Sequence, residues 1–290
     1  MASGSLDRAV VVTGASTGIG RAAVTKAVRE GAHVFASVRK QTDADALQAE
    51  FADAVTPLIF DVADEAAVRA GAAQVAAALG NRKLFGLVNN AGIAVPGPLL
   101  HLDTDDMRRQ FEINVFGVHT VTRAFADLLG AEESRTGNPG RIVMISSVGG
   151  QNGAPFVGPY ASSKFAIEGY SQSLRRELML YGIDVIVIGP GAIATPIWDK
   201  AEGEDLKRFS NTKYAPMVER VADYMLSQGK KGLPASDVGD LIWFCLSDPK
   251  PKTRYHILRN PFMDRTLPRL MNPRLVDRII ADRLGFPKRP

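Results

Sequence analysis

Apolar runs and amphipathic stretches alternate along this chain almost from its start. Residues 9–13, 33–38, 57–62, 84–89, 141–146 and 184–189 are short and nearly unbroken in Val, Ile, Leu and Phe. That is the pattern of strands covered on both faces. Between them, 19–30, 44–51, 65–79, 105–129 and 158–181 place apolar residues at helical spacing. Such alternation predicts parallel strand–helix–strand units with right-handed crossovers. The expected fold is α/β, a doubly wound parallel sheet in one domain spanning 1–290, with ligands at the carboxyl ends of the strands.

After Pro190 the pattern loosens. Residues 195–233 mix charges with Trp198, Phe209, Tyr214, Met217 and Tyr224, which predicts a substrate lid over the site. Residues 236–246 read as a capped helix and 253–258 as a last strand. The segment 261–290 sets prolines beside helically spaced Leu267, Leu270, Met271, Leu275, Ile279 and Ile280. It predicts a helical tail packed back on the body.

Composition narrows the partners. Of 290 residues, 46% are hydrophobic and 23% charged, as in soluble globular proteins. A single cysteine, Cys245, lies in an apolar run, so no internal disulfide is expected and burial in a helix is. The histidines His33, His101, His119 and His256 lack metal-ligand spacing, so no metal is expected. No apolar run reaches the length of a membrane span, and residues 1–8 lack a signal-like core, which predicts a cytoplasmic protein. The net charge is +4, with the basic excess late in the chain. A basic tail suits anionic lipid or nucleic acid. No run reaches five like charges and no aromatic-interleaved basic motif occurs, so the reading is a solvated surface and no nucleic-acid partner.

The chemistry begins at the first strand, which runs into Thr13-Gly14-Ala15-Ser16-Thr17-Gly18-Ile19-Gly20 and then a helix. A glycine-rich turn there lets backbone N–H groups approach a pyrophosphate at a helix N-terminus. The second strand ends Val38-Arg39-Lys40, where an NAD enzyme would carry an acid for the ribose 2′-hydroxyl. Arg39 would welcome a 2′-phosphate, so NADP(H) is favoured over NAD(H). Asp61 suits either an adenine amino group or a helix cap, with Val62 beside it. Asn89-Asn90-Ala91-Gly92 suits either a ribose or a plain turn. The strand 141–146 leads into Ser147, and thirteen residues later come Tyr160 and Lys164. At i and i+4 of a helix these two share a face. A nearby ammonium would lower the phenol pKa from about 10 and let Tyr160 serve as general acid and base.

Taken together, the T-G-A-S-T-G-I-G at 13–20, Asp61, N-N-A-G at 89–92, Asn114, Ser147, Tyr160 with Lys164, and Pro190-Gly191 with Thr195 resemble the short-chain dehydrogenase/reductase family over residues 8–196. The resemblance implies a Rossmann-type sheet of about seven strands and a catalytic tetrad of Asn114, Ser147, Tyr160 and Lys164. It implies that Lys164 also binds the nicotinamide ribose, that Asn114 holds a relay water, and that Ile193 and Thr195 meet the carboxamide. It further implies a homodimer or homotetramer. Ser162 stands where many members have alanine, a departure that leaves the chemistry intact.

V-F-A-S-V-R at 34–39 and S-V-G-G at 147–150, followed by Y-A-S-S-K-F-A-I-E-G, look like the hydroxysteroid and retinol dehydrogenase branch. That likeness implies a bulky apolar alcohol or ketone flanked by Val148, Phe156 and Trp198. The alternatives are a 3-oxoacyl-thioester or other small-carbonyl reductase, and a non-catalytic NADP-sensing protein.

Overall fold

The computed structural model describes residues 4–132, 134–195 and 206–286. Its main sheet holds β1 (Ser5–Val12), β2 (Ala32–Val38), β3 (Val55–Ile59), β4 (Gly86–Asn89), β5 (Arg141–Ile145), β6 (Asp184–Pro190) and a last strand, Arg254–Ile257. The order is β3-β2-β1-β4-β5-β6 and then the last strand, with every pairing parallel. The expected doubly wound sheet is therefore present. Order reverses between β1 and β4, which opens a crevice at their carboxyl ends. A separate two-strand pair, β7 (Ile193–Ala194) and β8 (Leu233–Pro234), lies beyond β6, so the last main-sheet strand is β9.

Alternation along each strand divides the core between two faces. Val10 and Val12 of β1 join Val34, Ala36, Val143 and Ile186 under α1 (Gly18–Arg29). Ala9 and Val11 join Phe35, Leu87, Ile142 and Met144 on the opposite face. The first face is closed by Val238 and Ile242 of a late helix, Ala235–Ser247; the second is closed by α3 (Glu65–Leu79), whose Val68 and Val75 are fully buried. Between β2 and β3 runs α2 (Gln41–Phe51).

The stretch expected as one helix over 105–129 is more segmented. It comprises α4 (Thr104–Phe111), a π-helical turn Glu112–Phe116, α5 (Gly117–Ala126) and a second π turn Asp127–Ala131. A π turn inserts a residue and rotates the following face, which periodicity alone does not reveal. After β5 comes α6 (Gly158–Glu177). The stretch 195–233, expected as a lid, holds α7 (Ala215–Lys230), and α8 (Ala235–Ser247) follows it. The cap expected from Ser236 is not formed, since Pro234 occupies the N-cap and the Ser236 hydroxyl faces Asp237 instead. Cys245 is buried in α8, where burial pushes its thiol up to about 12.

The described part of the tail includes α9 (Pro273–Leu284). Leu284 and Phe286 pack against Phe156, Phe209, Met217, Val218 and Val221, a third apolar cluster that joins the tail to α7 and to the segment before α6. Arg220 of α7 also donates to the Leu284 carbonyl at 3.0 Å.

Candidate active site

At the carboxyl end of β1 the chain turns through Gly14 at φ +65°, a left-handed conformation that glycine adopts freely. Gly20 must lack a side chain, because a Cβ there would lie 2.2 Å from the Gly14 carbonyl oxygen. Thr17 caps α1 without a side-chain hydrogen bond, and no acid sits in the first turn. The first N–H groups of α1 thus face a concave backbone turn with no competing carboxylate, which fits an anionic pyrophosphate. Ser16 and Thr17 line the same turn, while Ile19 packs into the core beneath it. Thr195 approaches from β7: a Cβ on Gly18 would fall 3.1 Å from it. The Ile193 side chain is buried in the core, so at that position the backbone is what a ligand would meet.

Asn90, expected near a ribose, has a local task. Its side-chain amide donates to the carbonyls of Thr13 at 2.9 Å and Gly14 at 3.1 Å, stitching β4 to the glycine turn. The Thr13 hydroxyl accepts from the N–H groups of Asn90 and Ala91, each at 3.0 Å. Asp61 accepts from Ala63 N–H at 3.1 Å, and its other oxygen lies 3.7 Å from Arg39. The helix cap belongs to Asp64, which accepts from Ala67 N–H at 3.0 Å. Arg39 and Asp61 therefore stand together just past the carboxyl ends of β2 and β3. Val62 is buried against Gly117, where an added Cβ would sit 2.7 Å from it.

At the carboxyl end of β5 the structure brings Ser147, Tyr160 and Lys164 together. The Ser147 hydroxyl stands beside the Tyr160 phenol, near enough to favour its ionised form, and accepts from Gly149 N–H at 3.0 Å. Lys164 is buried, with Nζ donating to the Ile145 carbonyl at 2.8 Å and lying 5.7 Å from the Tyr160 ring centre. Burial raises the Tyr160 pKa above its ordinary value, and the Ser147 hydroxyl pulls it back down. Burial also lowers Lys164 from 10.5 to about 8. The net lowering expected for the phenol is thus not realised: the ammonium is directed at a carbonyl, and desolvation disfavours both charged forms.

Asn114 sits in the first π turn and is buried. Its Oδ1 accepts from Ile93 N–H at 2.9 Å, and its Nδ2 donates to the Ile93 carbonyl at 3.0 Å and to Ser163 Oγ at 3.1 Å. The side-chain amide ties the loop after β4 to the helix carrying Tyr160. Gly92 lies against it, with 3.2 Å between a built Cβ and Oδ1.

Of the expected substrate residues, Val148 is half-buried in the turn after Ser147. Phe156 has φ +64°, a left-handed conformation uncommon for a bulky side chain. Its carbonyl accepts from Gly97 N–H at 2.7 Å, and its ring stacks on Phe286 at 6.1 Å between centres. Trp198 lies outside the described residues.

Two groups of residues escaped the reading of motifs. Gln110, fully buried, accepts from Val95 N–H and donates to the Ile93 carbonyl, both at 2.8 Å, and so holds the same loop as Asn114. Glu168 lies one helical turn beyond Lys164. It accepts from the Ser146 hydroxyl and from Arg254 of β9, whose Nε hydrogen-bonds His256 at 3.0 Å. An acid four residues after the Y-x-x-x-K lysine was an available signal for Glu168, and none pointed to Arg254. Among the described residues, no group of His, Cys, Asp and Glu could hold a metal ion.

The short chain dehydrogenase family model matches residues 8–205. The chain is 36% identical over 272 residues to the NADPH-dependent 3-dehydrocapnine reductase of Ornithobacterium rhinotracheale, covering 94% of this chain and 95% of that one. It is 31% identical over 263 residues to retinol dehydrogenase 7 of Rattus norvegicus, covering 86% and 80% respectively. Among solved structures, a short chain dehydrogenase/reductase from Burkholderia phymatum in complex with NAD superposes with a TM-score of 0.76. It is 25% identical and covers 95% of either chain.

Proposed function

We propose, from the premise that the chain belongs to the short-chain dehydrogenase/reductase family, that this oxidoreductase reduces a bulky apolar ketone or aldehyde with NADPH, using Tyr160 as the proton donor. The family membership itself rests on the match over residues 8–205 and on relatives aligned along most of the chain. The observation that carries the finer reading is the Ser147–Tyr160–Lys164 cluster, set on neighbouring elements beside a glycine turn that fits a pyrophosphate.

In this reading the backbone of Gly14 to Gly20 and the N-terminus of α1 hold the pyrophosphate. Lys164 and the turn at Asn90 to Gly92 hold the nicotinamide ribose, while Pro190, Gly191, Ile193 and Thr195 border the carboxamide. A nicotinamide held there would supply the hydride for the carbonyl carbon. Ser147 donates to the carbonyl oxygen and keeps it beside the phenol, and Tyr160 gives its O–H proton to that oxygen as the alcohol forms. A phenol held protonated by burial is suited to the reductive direction. Lys164 in its ammonium form then steadies the phenolate left behind. Asn114 fixes the loop after β4 through the Ile93 backbone.

The preference for NADPH is supported by the guanidinium of Arg39 just after β2 and by the NADPH dependence of the Ornithobacterium rhinotracheale relative. Arg39→Glu is expected to weaken NADPH binding roughly 10- to 100-fold, the loss of a charge-assisted hydrogen bond. NADH binding should change little. Cofactor fluorescence titration reads both constants, and equal weakening of the two would remove the 2′-phosphate assignment.

Lys164 gives the activity a pH signature. Its folded-state value of about 8 lies below its ordinary 10.5. Between those values the unfolded chain binds more protons, so this group makes stability rise with pH there. Activity moves the other way, because the ammonium that supports Tyr160 is lost. The kcat/KM for reduction should fall along an alkaline limb near pH 8, well before Tyr160 titrates. A profile flat from neutrality to about pH 10 would contradict the role given to Lys164.

An apolar substrate is supported by the cluster of Phe156, Phe209 and Met217 that starts four residues before Tyr160. NADPH consumption is to be followed with steroid, retinoid, short aliphatic and acetoacetyl-thioester carbonyls. The reading expects the large apolar members to turn over best. Preference for the thioester or the short carbonyls would reassign the substrate, and binding of NADPH without turnover would favour a sensing protein.

A further inference from the structure

The C-terminal segment combines two properties that no part of the reductase reading uses. From Arg259 to the last residue the sequence holds eight Lys or Arg and three Asp, a net of +5, in a chain whose total is +4. The rest of the molecule is therefore close to neutral, and the basic excess sits in this one segment. The same segment exposes large apolar side chains: Leu270 is 77% exposed, Phe262 57%, Met263 49%, Leu275 47% and Ile279 38%.

The two sets are arranged in register on α9. Val276, Ile280 and Leu284, spaced by four, form the half-buried side that faces the body. Leu275 and Ile279 form an adjacent stripe in solvent. At 100° per residue, Arg278 falls on one side of that stripe and Arg283 on the other, with Arg274 beside Arg278. Asp282 is the acid on this sector. An apolar stripe flanked by guanidinium groups is the pattern of a helix lying in the plane of a lipid–water interface. No described helix is long and apolar enough to cross a membrane, so the arrangement suits surface attachment.

Arg265 in the π turn Phe262–Thr266 donates to Gln151 at 3.4 Å, in the loop that follows Ser147. At the far end of the tail, Phe286 stacks on Phe156, four residues before Tyr160. The tail thus borders the reacting end of the crevice at two points.

We propose that the exposed face of the C-terminal segment, carrying Phe262, Leu270, Leu275, Arg274 and Arg278, is a docking surface for an anionic lipid bilayer. Docked, the enzyme keeps the rim near Gln151 and Phe156 close to the hydrocarbon boundary, where apolar carbonyl compounds partition. The attachment needs no knowledge of the substrate, so it stands or falls separately from the reductase reading.

The test is flotation of the full-length protein with vesicles of phosphatidylcholine alone, and with about one-third phosphatidylglycerol. Binding is expected to the anionic vesicles, weakly to the neutral ones, and to fall between about 0.05 and about 0.5 M salt as screening increases. Arg274→Gln with Arg278→Gln should reduce partitioning roughly 30-fold, given the surface attraction of two basic side chains. Leu270→Ser with Leu275→Ser should abolish it while the melting temperature and NADPH binding are retained, which shows that the variant still folds. Wild-type protein that stays with the unbound fraction would overturn the proposal. So would variants that bind as wild type does. Light scattering supplies a further arm: if the serine variant dissociates an oligomer that never bound vesicles, the face is a subunit contact and not a membrane one. Binding to duplex DNA without binding to vesicles would likewise overturn it.

Discussion

Replacing Tyr160 with phenylalanine is expected to lower kcat for carbonyl reduction roughly a thousand-fold while leaving NADPH bound, the effect of deleting one positioned proton donor. The substitution removes a single oxygen. The ring is retained, and it lies close to Gly149, where a built Cβ would come within 3.3 Å of Cε1. Gly149 N–H also keeps its bond to Ser147. The variant therefore tests proton transfer with little disturbance of packing. Absorbance decay of NADPH in single turnover measures the chemical step, and fluorescence of the bound nucleotide measures affinity. A residual rate within tenfold of wild type would remove Tyr160 from the role of acid.

The second large effect concerns stability. Glu168 and Arg254 form an ion pair whose side chains are only 12% and 20% exposed. Arg254→Met leaves the Glu168 carboxylate largely buried without that cation, and removing one partner of a buried pair is expected to destabilise by about 3 kcal/mol. Changing Glu168 to leucine in the same protein removes the stranded charge and should recover most of the loss. Urea denaturation of the two single variants and the double variant completes the cycle. If the arginine variant loses less than about 1 kcal/mol, the pair is acting like a surface contact.

The parts of this site that were legible in the sequence are those encoded locally. The glycine turn at 13–20 and the Tyr160–Lys164 spacing need only a few consecutive residues and the periodicity of one helix. Buried valines in unbroken runs likewise announce a parallel sheet. The Glu168–Arg254 pair joins positions 86 apart, and nothing within either segment marks the other as its partner. Asn114 was recognised through the family likeness, but its inward orientation depends on a π turn that helical spacing does not reveal. Asn90 shows a different limit. Its residue type suited a ribose or a turn, and neither reading foretells that its amide donates to two backbone carbonyls of the glycine turn. Lys164 was expected to depress the phenol, a reading that burial of both groups reverses.

Strand order also bears on how the protein is made. β1 is synthesised first yet stands in the middle of the sheet, and its neighbour β4 follows only after β2 and β3. β6 waits for β9, which brings Arg254 only after residues 195–233. A ribosome releasing this chain from its N-terminus thus exposes Glu168 well before its counter-charge exists. The helix bearing Tyr160 is completed electrostatically only when the last strand has emerged and docked. Nascent chains paused upstream of that strand would hold a formed crevice between β1 and β4 beside a Glu168 without its counter-charge, with an open parallel edge on β6 of the kind that invites pairing with other chains.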